Sequence, residues 1–183
     1  RQVVVYLGLL ADYQGIPQLL QAAAQLRRRG YAVSFLIMGF PAVERYRQMA
    51  RELGLTDADV IFTGKTRYEE APAYLALGDV AVAPKVSATE GSGKILNYMA
   101  MALPTVVYDT PVSREYLGKL GIYAEPLGDA TALARALAFI LRNPVAGRDL
   151  GLRLRERAAQ AFSWQRTGRQ LRRLYEGLWQ GKK

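Results

Sequence analysis

Apolar, β-branched runs alternate with stretches of helical period along most of this chain. Val3–Leu7, Val33–Met38, Val60–Phe62, Val80–Ala83, Thr105–Tyr108 and Ile122–Ala124 read as short strands. Between them apolar positions recur at helical spacing near Ile16–Arg28, Ala42–Leu53, Tyr68–Leu77, Gly93–Met101 and Val112–Leu117. Strands alternating with helices over short links predict the α/β class: a doubly wound, six-stranded parallel sheet with helices on both faces. Asp129 then caps a helix carrying Leu133, Leu137, Ile140 and Leu141 on one stripe, and Asn143-Pro144 stops it. Two more helices, near Ala146–Ala161 and Gln165–Leu178, complete the chain. With no internal repeat and no low-complexity linker, residues 1–183 read as one domain with a C-terminal helical appendage from about residue 144.

In sheets of this kind ligands bind beyond the C-terminal ends of the strands. Gly8, Thr63-Gly64-Lys65-Thr66, Pro84-Lys85 and Asp109-Thr110 fall there, and Glu90 to Lys94 lies a few residues beyond one such end. Within that last stretch Gly91, Ser92 and Gly93 precede a helical pattern, a setting in which backbone can approach a phosphate closely. The first amides of a helix lack internal partners and carry the positive end of its dipole. Lys94 adds a mobile full charge at the helix start, where a cation is unfavourable unless an anion neutralises it. The bland alternative is a plain glycine turn. Lys85, directly after a strand end, is either a second phosphate cation or a solvated side chain. Asn97, three residues after Lys94, can share its helix face. Thr63 to Thr66 read as a strand-to-helix loop at that edge.

Composition narrows the chemistry. Half of the residues are hydrophobic, which excludes global disorder. There is neither cysteine nor histidine, so disulfides, thiolate metal sites and Ser-His or Cys-His nucleophile pairs are excluded, and no metal site is expected. No segment approaches the roughly 18 apolar residues of a membrane span. The start, Arg1-Gln2-Val3, enters a strand at once without a signal-peptide layout, as a piece of a longer chain would. The formal net charge is +9, of which residues 144–183 supply +7. The basic character thus belongs to the appendage: a solvated helix face, or contact with an acidic membrane or an absent partner domain. The arginines do not interleave with a stacking platform, so no nucleic-acid partner is expected.

Glu90-Gly-Ser-Gly93 followed by Leu96-x-x-Met-Ala-x-x-Leu-Pro104-x-Val106 resembles the donor-binding segment of retaining glycosyltransferases of the group-1, family 4 type, which have the GT-B fold. Val3–Leu10 with Gln14-Gly15 is similar to that family's opening strand and glycine turn, Val60–Gly64 to its nucleobase-side strand, and Phe162-Ser163-Trp164 to the aromatic corner before its last helix. The resemblance covers essentially the whole chain, but only the C-terminal half of such an enzyme. It implies a donor-nucleotide domain whose N-terminal acceptor domain is absent here, no bound metal or cofactor, and a cytoplasmic setting. By the same resemblance Lys94 and Glu90 serve catalysis, while Gly8, Gly64, Lys65, Thr66, Lys85, Gly91, Ser92, Gly93 and Asn97 contact a nucleotide-diphosphate sugar. Phe162 and Trp164 read as aromatic anchors between the last two helices.

Two departures qualify this. The family pattern usually has paired glutamates; Asn97 stands at one of these positions and Thr89 at the other, with Glu90 one place off. The opening turn usually carries an arginine and a lysine on the leaving diphosphate; here these are Leu9 and Gln14. Either Lys85 and Lys94 supply that charge, or the donor site is altered. The rival readings are a non-catalytic sugar-nucleotide-binding module and half of a sugar-nucleotide 2-epimerase; the absence of histidine argues against the latter.

Overall fold

Six short strands, β1 (Gln2–Leu7), β2 (Val33–Met38), β3 (Val60–Gly64), β4 (Val80–Ala83), β5 (Thr105–Tyr108) and β6 (Ile122–Ala124), form where the apolar runs place them. They pair in parallel in the order β3-β2-β1-β4-β5-β6 in a computed structural model that describes residues 1–87 and 90–180. Successive strand side chains point to opposite faces, so a sheet covered on both sides needs continuous apolar strands. Accordingly Val4 and Tyr6 of β1 enter one core cluster, while Val5 enters the other.

Eight α-helices complete the described residues: α1 (Ile16–Arg28), α2 (Val43–Glu52), α3 (Ala71–Leu75), α4 (Lys94–Ala100), α5 (Pro111–Leu117), α6 (Ala130–Arg142), α7 (Pro144–Ala161) and α8 (Trp164–Gln180). On one face α1 packs against α6, with Leu19, Leu20, Leu133 and Leu137 in the core. On the other, α4 packs against α7, contributing Ile95, Tyr98, Met99 and Leu154. The doubly wound α/β architecture expected from the sequence is the one observed. Asp129 caps α6 as expected, its Oδ1 accepting the Thr131 and Ala132 amides at 2.6 and 3.2 Å.

Three local readings are corrected. The helix expected over Tyr68–Leu77 shortens to α3, because Pro72 sits in its first turn, where a missing N–H costs nothing, and the residues before it form turns. Asn143-Pro144 ends α6 as expected, but the next helix starts at Pro144 itself rather than near Ala146. Trp164 is no anchor: it is 88% exposed at the start of α8, and Phe162 alone packs inward, on Tyr116 with ring centroids 5.6 Å apart. Every side chain from Trp164 to Trp179 is exposed, so α8 adds nothing to the core.

Candidate functional site

The strand order puts β1 beside β4, and the chain leaves their C-terminal ends toward opposite sides, β1 leading to β2 and β4 to β5. Such a switch point leaves a crevice that neighbouring connections cannot fill. Tyr98 of α4 ties its floor together: its hydroxyl accepts the Leu7 amide at 2.8 Å and donates to the Val82 carbonyl at 3.3 Å. Two glycines let the flanking backbone close in. Gly15 has φ +78°, and a Cβ there would stand 1.8 Å from the Pro84 carbonyl oxygen; a Cβ on Gly39 would stand 2.0 Å from that of Gly8.

Lys94 enters this crevice from the start of α4. Its ammonium donates to the Tyr6 hydroxyl and to Gln14 Oε1, both at 2.8 Å, and lies 4.2 Å from the Tyr6 ring centroid. The Tyr6 hydroxyl in turn donates to the Leu9 carbonyl at 2.7 Å. Gly8, with φ +145°, supplies the space, since a Cβ would meet Lys94 Nζ at 2.8 Å. All these partners are neutral. Burial, with the nearby Lys85 charge adding to it, pushes the Lys94 ammonium down to about 7. Burial likewise pushes the Tyr6 and Tyr98 hydroxyls well up, so both stay protonated donors.

Lys85 has the opposite surroundings. Although only 7% exposed, its ammonium pairs with Glu90 Oε2 at 2.8 Å and donates to the Glu90 and Gly91 carbonyls at 3.2 and 3.3 Å. It is therefore not the solvated side chain allowed by the sequence; it fastens the 90–91 segment to the end of β4. Ser92 is turned inward, its Oγ buried without a partner among the described residues, and lines a small hollow with Lys85, Thr110 and Ser113. Gly91 and Gly93 have no left-handed φ, and a Cβ on Gly93 would meet nothing within 4 Å. The fold itself gives no steric reason for glycine at 93. Thr89 lies outside the described residues.

On the far side of α4, Asn97 lines an apolar hollow of about 130 Å³ together with Tyr68 and Leu75. That joins α4 to the segment after β3, where Gly64 has φ +74°, Thr63 and Thr66 share a hydroxyl contact at 3.1 Å, and Lys65 lies 5.3 Å from the Phe40 ring centroid. Asp109 and Thr110 are taken up locally, Asp109 by a two-point ion pair with Arg114 and Thr110 by capping α5 with Ser113. Among the described residues no cluster of three acidic side chains could hold a metal ion.

The structure thus brings Gly8, Lys94 and Gln14 together at one point, sets Lys85 and Glu90 beside it as a pair, and puts Asn97 and the 64–66 loop on the opposite flank. Tyr6, Tyr98 and the acceptor role of Gln14 were not legible in the sequence. A tyrosine set among Val3, Val4, Val5 and Leu7 is the one signal for Tyr6.

Residues 1–143 match the model of a protein family described as glycosyl transferases group 1. The chain is 32% identical to alpha-D-kanosaminyltransferase of Streptomyces kanamyceticus over 97% of its own length and 46% of that protein's. It is 30% identical to the GDP-mannose-dependent alpha-(1-6)-phosphatidylinositol monomannoside mannosyltransferase of Mycolicibacterium smegmatis, over 97% of this chain and 48% of that protein. Sucrose-phosphate synthase from Thermosynechococcus elongatus superposes with a TM-score of 0.87 at 26% identity, over 98% of this chain and 46% of that one. The chain therefore spans a little under half the length of these relatives. With its switch-point crevice and a family match over most of its length, the chain belongs to the glycosyl transferases group 1 family.

Proposed function

We propose that this chain is the donor-nucleotide half of a retaining glycosyltransferase that moves a hexosyl group from a nucleotide-diphosphate sugar to a glycan or lipid acceptor. The acceptor domain belongs to the part of the protein outside this chain, and the setting is cytoplasmic. One observation carries the reading: a lysine whose ammonium has only neutral partners among the described residues, held at the switch point of a nucleotide-binding type of sheet. A partly buried cation without a counter-ion is costly, and a diphosphate would complete it. Glycine at 93, which the fold does not require, supports close approach of that group to the backbone.

In this reading Lys94 meets the charge that develops on the diphosphate as the bond to the sugar breaks, the stage at which a fixed cation lowers the barrier most. Gly8 leaves room for it, and the Gly91–Gly93 backbone lines the same anion. The base and ribose lie toward Gly64, Lys65, Thr66 and Asn97, whose side-chain amide both donates and accepts. Lys85 and Glu90 hold the loop between them; Glu90, with its side chain 65% exposed, faces the donor sugar.

The 183-residue chain should bind UDP, GDP, ADP or CDP without added metal. With half of the cleft absent, the expected Kd is on the order of tens of micromolar to millimolar. Titration calorimetry at low salt that finds neither heat nor competition with any of the four removes this proposal.

No helix among the described residues is long and apolar enough to cross a membrane. We further propose that α8 docks on the acceptor domain or an anionic bilayer. Leu171, Leu174, Tyr175 and Leu178 form an exposed apolar stripe, and Arg166, Arg169, Arg172 and Arg173 enrich its other positions. Lys182 and Lys183, which would add to this charge, lie outside the described residues. Each cation near an acidic surface contributes about 1 kcal/mol. Anionic vesicles should sediment the intact chain but not one cut after Ser163; equal sedimentation, or none, leaves only domain docking.

A further inference from the structure

The two lysines of the site differ in one respect that bears on how it works. Lys85 carries its own carboxylate, Glu90, whereas Lys94 does not. Gln14 Oε1 stands 2.8 Å from the Lys94 ammonium, where an aspartate or glutamate would make an internal ion pair. An amide oxygen aims the ammonium without neutralising it. The Tyr6 hydroxyl is itself aimed, because its proton goes to the Leu9 carbonyl and its lone pairs are left for the ammonium.

We infer that Tyr6 and Gln14 are positioning residues that hold Lys94 as a deliberately uncompensated cation, so that arrival of a diphosphate and protonation of Lys94 are linked events. The inference rests on the diphosphate reading above and specifies how that site is switched. Without ligand, the charged form is opposed by burial and by the Lys85 ammonium, and Lys94 holds its proton only up to about pH 7. A bound diphosphate favours the charged form and draws a proton in. The other titratable groups around the ammonium are the Tyr6 and Tyr98 hydroxyls, which burial keeps protonated, Tyr13 on the same turn as Gln14, and the Lys85–Glu90 pair. Neither buried hydroxyl titrates between pH 7 and 9, so a proton uptake that Gln14→Glu abolishes assigns the change there to Lys94.

The linkage has a definite sign. Between the pKa of Lys94 in the free chain and its higher value in the complex, the complex binds more protons, so affinity falls as pH rises, by up to tenfold per pH unit for one proton. The terminal phosphate of a nucleoside diphosphate has its second ionisation near pH 6, so any remaining change in its charge strengthens binding as pH rises and opposes this trend.

Calorimetry of the 183-residue chain with UDP, GDP, ADP and CDP in turn, at pH 7, 8 and 9 in Tris and in HEPES, tests this. For a diphosphate that binds, Kd should rise about tenfold or more from pH 7 to 9, with a buffer-dependent heat that reports proton uptake. Gln14→Glu supplies the missing carboxylate; it should weaken diphosphate binding about tenfold at pH 7, flatten the pH profile and leave nucleoside binding unchanged. Tyr6→Phe keeps the ring but removes the acceptor, and should raise Kd severalfold while retaining the slope. A Kd that is flat from pH 7 to 9 without proton uptake overturns the inference and leaves the diphosphate reading standing. A Gln14→Glu chain that binds with the wild-type slope overturns the positioning role. Absence of binding by all four diphosphates at every pH overturns both inference and reading.

Discussion

Lys94→Met is expected to raise the melting temperature of the chain and at the same time weaken its binding of nucleoside diphosphates about tenfold or more. The loss of binding follows from removing a charge-assisted contact, which contributes roughly 1.5–3 kcal/mol. The gain in stability follows from removing an ammonium that the fold turns inward without a counter-ion. Against it stands the loss of one hydrogen-bond partner each for Gln14 Oε1 and the Tyr6 hydroxyl, of which Tyr6 keeps its bond to Leu9. The net gain should be about 1–2 kcal/mol, or roughly 3–6 °C for a domain of this size. Its pH dependence is fixed in sign. The pKa of Lys94 is depressed on folding, so below about pH 7 the native chain bears the full cost of the partly buried charge. Above that value the unfolded chain binds more protons and native stability rises with pH. The advantage of methionine is therefore greatest below pH 7 and shrinks toward pH 9. Thermal melts at pH 6.5 and 9, with calorimetry using nucleoside and diphosphate, check both halves. A destabilised variant that loses nucleoside and diphosphate equally would mark Lys94 as structural.

Gly15→Ala should be the most damaging small substitution near the site. Gly15 starts α1 from a left-handed conformation, φ +78° and ψ +21°, and its amide donates to the Asp12 carbonyl at 2.9 Å. An alanine Cβ would press on the Pro84 carbonyl oxygen at 1.8 Å, a backbone atom that cannot rotate away. Pro84 leads directly to Lys85, and the Val86 amide donates to the Tyr13 carbonyl at 3.0 Å, so the opening turn and the end of β4 are one unit. Overpacking and the left-handed penalty together should cost about 3–5 kcal/mol, lowering the melting temperature by roughly 10 °C or more. Because Gln14 is the neighbouring residue, Lys94 loses one of its two acceptors in the same movement. A melting temperature within about 2–3 °C of wild type would mean that the turn yields without cost and that the close approach is not needed.

Much of the fold was legible locally. β-branched runs such as Val33–Met38 and the stripe of α6 become strand and helix through spacings of a few residues, and the same is true of the Asp129 cap. Where a reading failed, the surroundings had overridden the pattern. Tyr68–Glu70 carry helical spacing but yield to Pro72, and Trp164 has an anchor's chemistry but faces away from the body. The candidate positions Gly8, Lys85 and Glu90 to Lys94 fall at the sheet edge where the strand assignments put them.

Which of those positions carries an available charge was beyond the sequence. Lys85 and Lys94 look alike in the chain, yet one meets a carboxylate five residues away and the other a hydroxyl and an amide 88 and 80 residues away. The sequence by itself determined the α/β class, the glycine turn before α4 and the concentration of positive charge in the C-terminal helices, because each depends on neighbours in the chain. Only the tertiary structure decided that Lys85 is neutralised, that Lys94 is not, and that α8 has no core to join. The state of a buried charge is set by the groups that folding brings around it, and strand order rather than local pattern selects those groups.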